Sequence, residues 1–402
     1  MHYLNNWRVN MGEINFLKEA LDIKDEVIKL RRDFHEHPEL DYDLFRTCEK
    51  VKEFLKNQNI EYYDTAGTGI CAIIRGKGHK TVAIRGDMDA LPLQEKNICD
   101  YSSKIEGKMH ACGHDAHTAI LLGAAKVLNS IKDKLNGNIK LLFEPAEETT
   151  GGARIMIKEG VLKDPDVDAI IGLHMEEKIN TGKIGLRRGV VNAASNPFTI
   201  KIKGKGSHGA RPNNSVDPII IASNVVVALQ NIVSRELPPT DPGVLTIGTI
   251  HGGTAQNIIP DEVILSGIIR VMKTEHREYV KKRLVEIVEN ICKAMRGECE
   301  IDIEESYPCL YNNDEMLNSF INSANGVIGE DNIEMLEEPS MGVESFAYFS
   351  MEKPSIFYYL GCRNEEKGIV HPAHSSLFDV DEDSLALGVA LHCKAAFDIL
   401  NS

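Results

Sequence analysis

A dense group of potential metal ligands lies in the segment Met109-His-Ala-Cys-Gly-His-Asp-Ala-His117, which places a cysteine, three histidines and an aspartate around a turn that opens a helix. Cys112 and His114 are two residues apart across a glycine, so both side chains can converge on one metal ion. Thiolate and imidazole groups are good zinc donors. A lone Cys-x-His pattern is more often a buried cysteine beside helix-capping groups, but donors elsewhere in the chain favour a metal site.

Three further segments supply those donors. Glu147 and Glu148 follow an apolar strand, where adjacent carboxylates are unusual unless a cation lies between them or one of them acts as a base. His174 ends a strand that is too apolar for the surface, and His371 follows a Gly-rich loop. The segments together offer five donors: Cys112, His114, Glu148, His174 and His371. Glu147 remains as an additional carboxylate. Five donors exceed the needs of one tetrahedral zinc and suit two metal ions sharing a water that a carboxylate can deprotonate.

The elements that must position these donors follow a βαβ alternation. Apolar, β-branched runs predict strands at 69–74, 81–85, 138–143 and 167–173, with a helix at about 116–131. This alternation predicts a doubly wound α/β sheet, and ligands of such sheets collect at the carboxyl ends of the strands. The donor segments follow the predicted strands at those ends.

The middle of the chain has a different pattern. It predicts two helices among four strands, in the order strand 197–203, helix 216–235, strands 244–250 and 262–272, helix 274–296 and strand 300–305. This β-α-β-β-α-β order is ferredoxin-like and can fold as an insertion. We therefore expect a discontinuous α/β domain with a mixed sheet at 1–190 and 305–402, which carries the donors, and an inserted α+β domain at 191–304.

Composition limits the partners and the location. The chain has 45 Lys and Arg against 60 Asp and Glu, a net charge of -15, which disfavours binding to nucleic acid or an anionic membrane. Residues 1–14 lack the pattern of a secretory signal, and no apolar run approaches the roughly 20 residues of a membrane span. Nine cysteines without paired spacing make a disulfide framework improbable. We expect a cytoplasmic protein without nucleic-acid or membrane partners.

Motifs along nearly the whole chain resemble those of the aminoacylase and carboxypeptidase-G type di-zinc metallopeptidase family. They are Arg32-Asp-Phe-His-Glu-His-Pro-Glu39, Gly86-Asp-Met-Asp-Ala-Leu-Pro92, His110-Ala-Cys-Gly-His-Asp115, Gly204-Lys-Gly-Ser-His-Gly-Ala-Arg-Pro212 and His371. The resemblance is to the amidohydrolase branch, which includes hippurate hydrolase, auxin-conjugate hydrolases and N-acetyldiaminopimelate deacetylase. It implies cleavage of the amide bond of N-acyl amino acids. A dipeptidase or carboxypeptidase is the enzymatic alternative, and a non-catalytic metal scaffold is the other.

The resemblance also implies roles for the residues of the centre. The five donors would bind two divalent metal ions, and Glu147 would be the general acid/base. Related peptidases carry His-x-Asp where this chain has Asp87-Met-Asp89, which favours the amidohydrolase function. We infer that His114 compensates for the missing histidine and that Asp89 supports the ligands from behind. The thiolate favours zinc, with manganese, cobalt and nickel as alternatives.

The inserted domain resembles the lid of this family, which typically forms a homodimer and contributes substrate contacts. By that analogy, His208 in a Gly-flanked loop polarises the scissile carbonyl, often across the dimer. Asn257 and Arg270 match residues that contact the substrate carboxylate. His208 would otherwise be an exposed loop histidine, and Arg270 would otherwise pair with an acidic neighbour.

Overall fold

The computed structural model describes residues 14–402, which form two compact units. The first comprises 14–189, Tyr311–Glu338 and Tyr348–Ser402, and the second comprises Val190–Leu310 and Pro339–Ala347. One unit therefore interrupts the other, but the second unit extends beyond the expected end at 304 and includes a later segment. The expectation that residues 1–14 are not a secretory signal concerns a segment of which residues 1–13 lie outside this description.

The helices of the described residues are α1 (Phe16–Asp22), α2 (Lys24–Glu36), α3 (Phe45–Asn57), α4 (His114–Ser130), α5 (Gly152–Lys158), α6 (Pro218–Asn231), α7 (Thr274–Ala294), α8 (Asp314–Ile328), α9 (Phe346–Glu352) and α10 (Leu385–Asn401). The strands are β1 (Glu61–Thr65), β2 (Gly69–Ile74), β3 (Thr81–Asp87), β4 (Asn138–Glu144), β5 (Ala169–Asn180), β6 (Ile184–Leu186), β7 (Gly189–Asn192), β8 (Ala194–Lys203), β9 (Ser207–His208), β10 (Gly243–Gly252), β11 (Ile258–Ile259), β12 (Glu262–Val271), β13 (Glu298–Ile303), β14 (Leu310–Asn312), β15 (Ile333–Met335) and β16 (Ser355–Arg363).

The first unit is built on an eight-stranded mixed sheet with the order β1-β2-β4-β3-β5-β16-β6-β15. Its centre, β4-β3-β5-β16, is parallel, and β1, β2 and β6 join by antiparallel pairing. Every residue of β2, β3 and β4 is buried, which explains the uninterrupted apolar runs in the sequence. The buried helices α4 and α10 pack against each other and against β3. This architecture confirms the predicted mixed α/β sheet.

The second unit contains an antiparallel four-stranded sheet with the order β10-β12-β8-β13. Helices α6 and α7 pack on this sheet, and together the elements follow the predicted β-α-β-β-α-β order. Asp217 begins α6 by accepting a hydrogen bond from the amide of Ile219 at 2.9 Å, and Pro218 occupies the first turn. The ferredoxin-like α+β prediction is confirmed.

Helix α6 continues as a π-helical turn, Ile232–Glu236. By length and composition the continuous helix Pro218–Glu236 could cross a membrane, whereas the sequence led us to expect no apolar run of that length, because Ser223 and Asn224 interrupt the apolar residues. Only 33% of its most apolar window is buried within the chain. An apolar, exposed helix of this kind is also typical of an interface between subunits.

Candidate metal centre

The carboxyl ends of three neighbouring parallel strands carry the centre. β3 ends at Asp87 and β4 ends at Glu144, while β5 continues to Asn180. His174 therefore lies inside β5, where the sequence placed it at a strand end. Pairing of β3 with β5 ends at Arg85 and Gly172, so His174 lies two residues further along β5, level with Asp87 at the end of β3. The strand-end rule located the site even though the boundary of this strand was wrong.

A glycine between the first two donors determines their arrangement. Cys112 and His114 flank Gly113, which has a φ of 89° in the left-handed region and immediately precedes α4. A Cβ atom at this position would lie 3.0 Å from the side chain of Met175. Glycine is therefore required twice, by the backbone conformation and by the close approach of Met175.

Four groups of side chains bring their possible ligand atoms within 4.8 Å of one another. They are Cys112 with His114 and His174, Asp87 with His114 and His117, Cys112 with Glu148 and His374, and His114 with Glu147 and Glu148. The Sγ atom of Cys112 lies 3.3 Å from Nε2 of His174. Nε2 of His374 and Nε2 of His114 lie 3.4 Å and 3.9 Å from the same oxygen, Oε1 of Glu148.

The structure brings His374 to these donors, where the sequence interpretation had chosen His371. His371 belongs to none of the donor groups among the described residues. The amide of His374 donates to the carbonyl of Ala111 at 2.7 Å, and its φ of 64° turns the backbone at this point. Because this segment has no regular structure, two histidines three residues apart need not point the same way, and the spacing could not distinguish them.

Hydrogen bonds at Nδ1 orient two donor imidazoles. Nδ1 of His114 donates to the carbonyl of Asp89 at 2.8 Å, and Nδ1 of His174 donates to the carbonyl of Met175 at 2.6 Å. Nε2 of each ring is then the nitrogen that could bind a metal ion. Nε2 of His114 and Oε1 of Glu148 are buried without a hydrogen-bond partner among the described residues. Buried polar atoms of this kind, aimed at thiolate, imidazole and carboxylate neighbours, fit a site for divalent cations.

Asp89 supports the adjacent carboxylates from behind. Its two carboxylate oxygens accept hydrogen bonds from the amides of Glu147 at 2.9 Å and Glu148 at 3.0 Å. Ala146 precedes them with a φ of 57°, a conformation that costs an alanine about 1 kcal/mol or more. The bonds to Asp89 help to hold this turn and aim both glutamates, as the sequence analysis expected of Asp89.

His117 is a supporting residue that the sequence analysis did not assign. Its Nε2 accepts a hydrogen bond from the amide of Met175 at 2.9 Å, and its Nδ1 donates to Asp87 at 2.6 Å. With both nitrogens engaged, His117 holds the backbone beside His174 instead of binding metal. Asp87 in turn pairs with Arg85 at 2.7 Å. The signal in the sequence was Asp87 itself, at the position where related peptidases have a histidine.

Buried charges shift the pKa values of the donors in opposite directions. Burial alone lowers the pKa of His114, but Asp87 and Asp89 raise it well above its ordinary value. Burial and the nearby Glu148 raise the pKa of the Cys112 thiol. Burial also opposes ionisation of Glu148, yet His374 and His114 hold its pKa below the usual range. A cation that binds here must displace the protons of the thiol and of His114.

The other candidate residues lie in the second unit. His208 is exposed on β9 opposite Ile258 of β11, and its Nδ1 accepts a hydrogen bond from the amide of Ala210 at 3.0 Å. The carbonyl of Asn257 accepts from the amide of Gly209 at 2.8 Å, so this residue lies beside the His208 loop.

Arg270 is half-buried in β12 and donates to the carbonyl of Met341 at 2.8 Å. Burial lowers its pKa, and no carboxylate among the described residues pairs with it. The expected alternative, an acidic neighbour that neutralises this arginine, is therefore absent from the described part of the chain.

The mixed α/β sheet and the cysteine, histidine and glutamate donors at its strand ends define a class, the dinuclear metallohydrolases. Residues 83–398 match the family described as Peptidase family M20/M25/M40, and the chain belongs to this family. A solved structure similar to this chain is a dinuclear metal-binding peptidase of the M20 family from Bacillus subtilis. It has a TM-score of 0.82 and 31% identity, covering 95% of this chain and 99% of that one.

Curated relatives cover almost the entire chain. The thermostable carboxypeptidase 2 of Saccharolobus solfataricus is 39% identical, over 95% of this chain and 98% of its own. The IAA-amino acid hydrolase ILR1-like 4 of Arabidopsis thaliana is 40% identical, over 94% and 87%. The N-acetyl-L-cysteine deacetylase of Bacillus subtilis is 39% identical, over 94% and 89%. These relatives confirm the resemblance to the amidohydrolase branch.

Proposed function

We propose that this protein is a metal-dependent amidohydrolase that removes the acyl group from N-acyl amino acids. The observation that carries the proposal is the position of Glu147, buried among the metal donors and within 4.8 Å of possible ligand atoms of His114 and Glu148. A donor set with an additional buried carboxylate contains both the cation site and the proton carrier that amide hydrolysis needs. Two of the relatives are named for hydrolysis of N-acyl amino acids.

The residues of the centre would have two separate roles, metal binding and proton transfer. Cys112, His114, Glu148, His174 and His374 would hold the two ions, which supply positive charge that polarises the amide carbonyl and acidifies water. The Glu147 carboxylate accepts a proton from the water that attacks the carbonyl carbon. It delivers that proton to the amine nitrogen as the C–N bond breaks, so that an acid and a free amino acid leave.

Zinc is the metal we propose, since the Cys112 thiolate is a soft donor, and manganese, cobalt and nickel are the alternatives. The test is elemental analysis of protein purified without chelators, followed by reconstitution of the metal-free protein with each ion. Zinc should bind in a ratio of two per chain and restore activity. A ratio near zero with every ion would overturn the metal site.

In the second unit, Arg270 supports recognition of an anionic substrate. Among the described residues its guanidinium donates to one neutral carbonyl, that of Met341, and its planar fork can bind a carboxylate through two hydrogen bonds. We infer that Arg270, with the amide of Asn257, binds the carboxylate of the amino acid. We further infer that His208, whose Nδ1 is occupied by the Ala210 amide, uses Nε2 to polarise the scissile carbonyl.

A carboxypeptidase or dipeptidase activity is the second candidate, because one relative is named a carboxypeptidase. The bonds of Asp87 favour the first candidate: they join it to His117 and Arg85, and the peptidase-type histidine ligand is absent. A panel of acetyl, benzoyl and indoleacetyl amino acids, set against dipeptides and N-blocked peptides, separates the two. We expect the kcat/KM for N-acyl amino acids to exceed that for peptides, and the reverse order would favour the peptidase.

The exposed face of α6 supports a homodimer formed through the second unit. Ile219, Ile220 and Val227 are 39%, 51% and 72% exposed on this helix, and β10 is an edge strand of the sheet. Both features can pair isologously about a two-fold axis. We propose a cytoplasmic location as well, since all nine cysteines are free thiols. The acidic charge supports a protein without nucleic-acid or membrane partners.

A further inference from the structure

The donor His374 lies on an irregular segment. We define the strap as residues 364–381, which follow β16 and contain neither helix nor strand. His374 adopts the left-handed conformation there, which a non-glycine residue keeps only when its surroundings hold it. Backbone hydrogen bonds join the strap to the loop that precedes α4. The amide of His374 donates to the carbonyl of Ala111 at 2.7 Å, and the amide of Lys96 donates to the carbonyl of Ser376 at 2.8 Å. No direct hydrogen bond joins the strap to α4 among the described residues.

A buried arginine bridges that gap. Arg31 on α2 is fully buried, and its Nε donates to Asp115 at 2.7 Å, one residue after His114 on α4. Its Nη2 donates to Asp379 in the strap at 2.7 Å, and Nη1 reaches Glu382, just after the strap, at 3.5 Å. One guanidinium thus connects the first turn of the helix that carries His114 with the segment that carries His374.

A second buried cation reinforces the same carboxylate. Nδ1 of His35 lies 2.7 Å from Asp115, and its Nε2 lies 3.2 Å from Glu95. Because both ring nitrogens face carboxylates, the ring donates on both sides as an imidazolium. His35 lies within the Arg32-to-Glu39 motif, and Arg31 directly precedes it. This motif contributes no donor to the metal centre. The motif therefore has a role that ligation does not explain.

We propose that Arg31 is a positioning residue that sets the distance between the donors His114 and His374. The proposal rests on the two-metal site proposed above. A guanidinium suits this role because its rigid fork donates in several directions at once, and a lysine in its place keeps the charge but loses the fork. Groups that hydrogen-bond directly to metal ligands typically change metal affinity about 10- to 100-fold when they are removed. Arg31 acts one step further away, through Asp115 beside His114 and through Asp379 in the strap, so we expect the lower end of this range.

The test measures metal affinity in two variants by competition with a chromophoric chelator, well below the unfolding temperature. Arg31→Lys alters the bridge itself. Asp379→Asn weakens only its strap end and leaves the pair between Arg31 and Asp115 intact. We expect each variant to bind at least one of its two zinc ions tenfold or more weakly than the parent. We also expect faster amide hydrogen exchange in the strap of both variants without metal.

Lys140→Met is the matched control. Lys140 is also a fully buried cation of the first unit, and it donates to the carbonyls of Val161 at 2.8 Å and Lys163 at 2.5 Å, with no bond to α4 or the strap. This variant should lose thermal stability while keeping the parent's zinc affinity and the parent's exchange rate in the strap. It separates general destabilisation from positioning.

The outcomes distinguish this inference from the proposed function. If both variants lose thermal stability as Lys140→Met does but bind both zinc ions with the parent's affinity, Arg31 is structural only and the inference is wrong. If Arg31→Lys does not fold, Asp379→Asn decides. If the parent itself binds no zinc, the proposed function fails. The inference about Arg31 is then judged separately by amide hydrogen exchange in the absence of metal. An exchange rate in the strap of Asp379→Asn equal to that of the parent would show that Arg31 does not hold the strap.

Discussion

The metal donors of the first unit and the candidate substrate contacts of the second differ in how firmly their surroundings hold them. Cys112, His114 and Glu147 are buried, and the partners Asp89 and Asp87 are themselves bonded. In the second unit, His208 is exposed in a two-stranded ribbon, and Asn257 is exposed in the turn that precedes its second strand. With the roles proposed above, bond cleavage would be organised among buried residues, whereas the two exposed contacts would lie where exchanges of residues cost little stability; Arg270, half-buried in β12, lies between these extremes.

The largest effect should come from the interior carboxylate. Glu147→Gln removes the proton carrier without removing a metal donor, so kcat should fall about 100-fold or more while both metal ions stay bound. Steady-state kinetics and elemental analysis of the same preparation measure the two quantities. A variant with the parent's kcat would show that Glu147 carries no proton, and one that had lost a metal would show that it is a ligand.

A matched pair of histidine variants sharpens the description of the interior. His374→Ala should weaken binding of one metal ion tenfold or more, because a donor is lost. His371→Ala should bind both ions as the parent does, since its side chain belongs to no donor group. Chelator competition on both proteins decides between them. The opposite result would restore the assignment made from the sequence.

In the second unit, Arg270→Ala should act on binding and leave metal content unchanged. Loss of a charged hydrogen bond of about 1.5 to 3 kcal/mol predicts a KM about 10- to 100-fold higher for N-acyl amino acids. Arg270→Lys should recover part of this loss. The control is the matching N-acyl amino acid amide, for which parent and variant should have similar KM values. A fall in kcat alone, with KM unchanged, would exclude carboxylate binding.

The smallest effect on activity should come from Val227→Asp on the exposed face of α6. A charge in a two-fold interface appears twice, so the dimer should dissociate at micromolar concentration while the isolated chain keeps its fold. Light scattering after size-exclusion chromatography measures the mass. Ile98→Asp, at a fully exposed residue of the first unit, is the control and should leave the mass unchanged. A monomeric parent would refute the interface.

Three of the donors expected from the sequence, which the structure brings together, share short-range constraints. Cys112 and His114 are joined by one glycine, and Glu148 lies four residues after the end of a strand whose residues are all buried. Their neighbours in the chain therefore determined their places. The same holds for the β-α-β-β-α-β pattern of the second unit, whose strands alternate or run apolar over long stretches.

Features that depend on distant partners could not be predicted in this way. The choice of His374 over His371 follows from a bond to Ala111, more than 250 residues earlier in the chain. His117 is a histidine like the proposed ligands His114 and His174, and only the hydrogen bonds at both of its ring nitrogens exclude it as a metal ligand. Three-residue strands such as β6 and β15 are too short to show a periodic pattern.

The position of β16 inside the main sheet governs how a newly made chain can be completed during translation. β16 lies between β5 and β6, and α10, which packs on α4, follows it at the end of the chain. Residues 190–310, which form most of the second unit, leave the ribosome as one continuous stretch, but β5 must wait for its later neighbour β16. Until residue 374 has emerged, the nascent protein lacks one of its proposed ligands, so ions captured before that stage would be held by an incomplete set and released more easily.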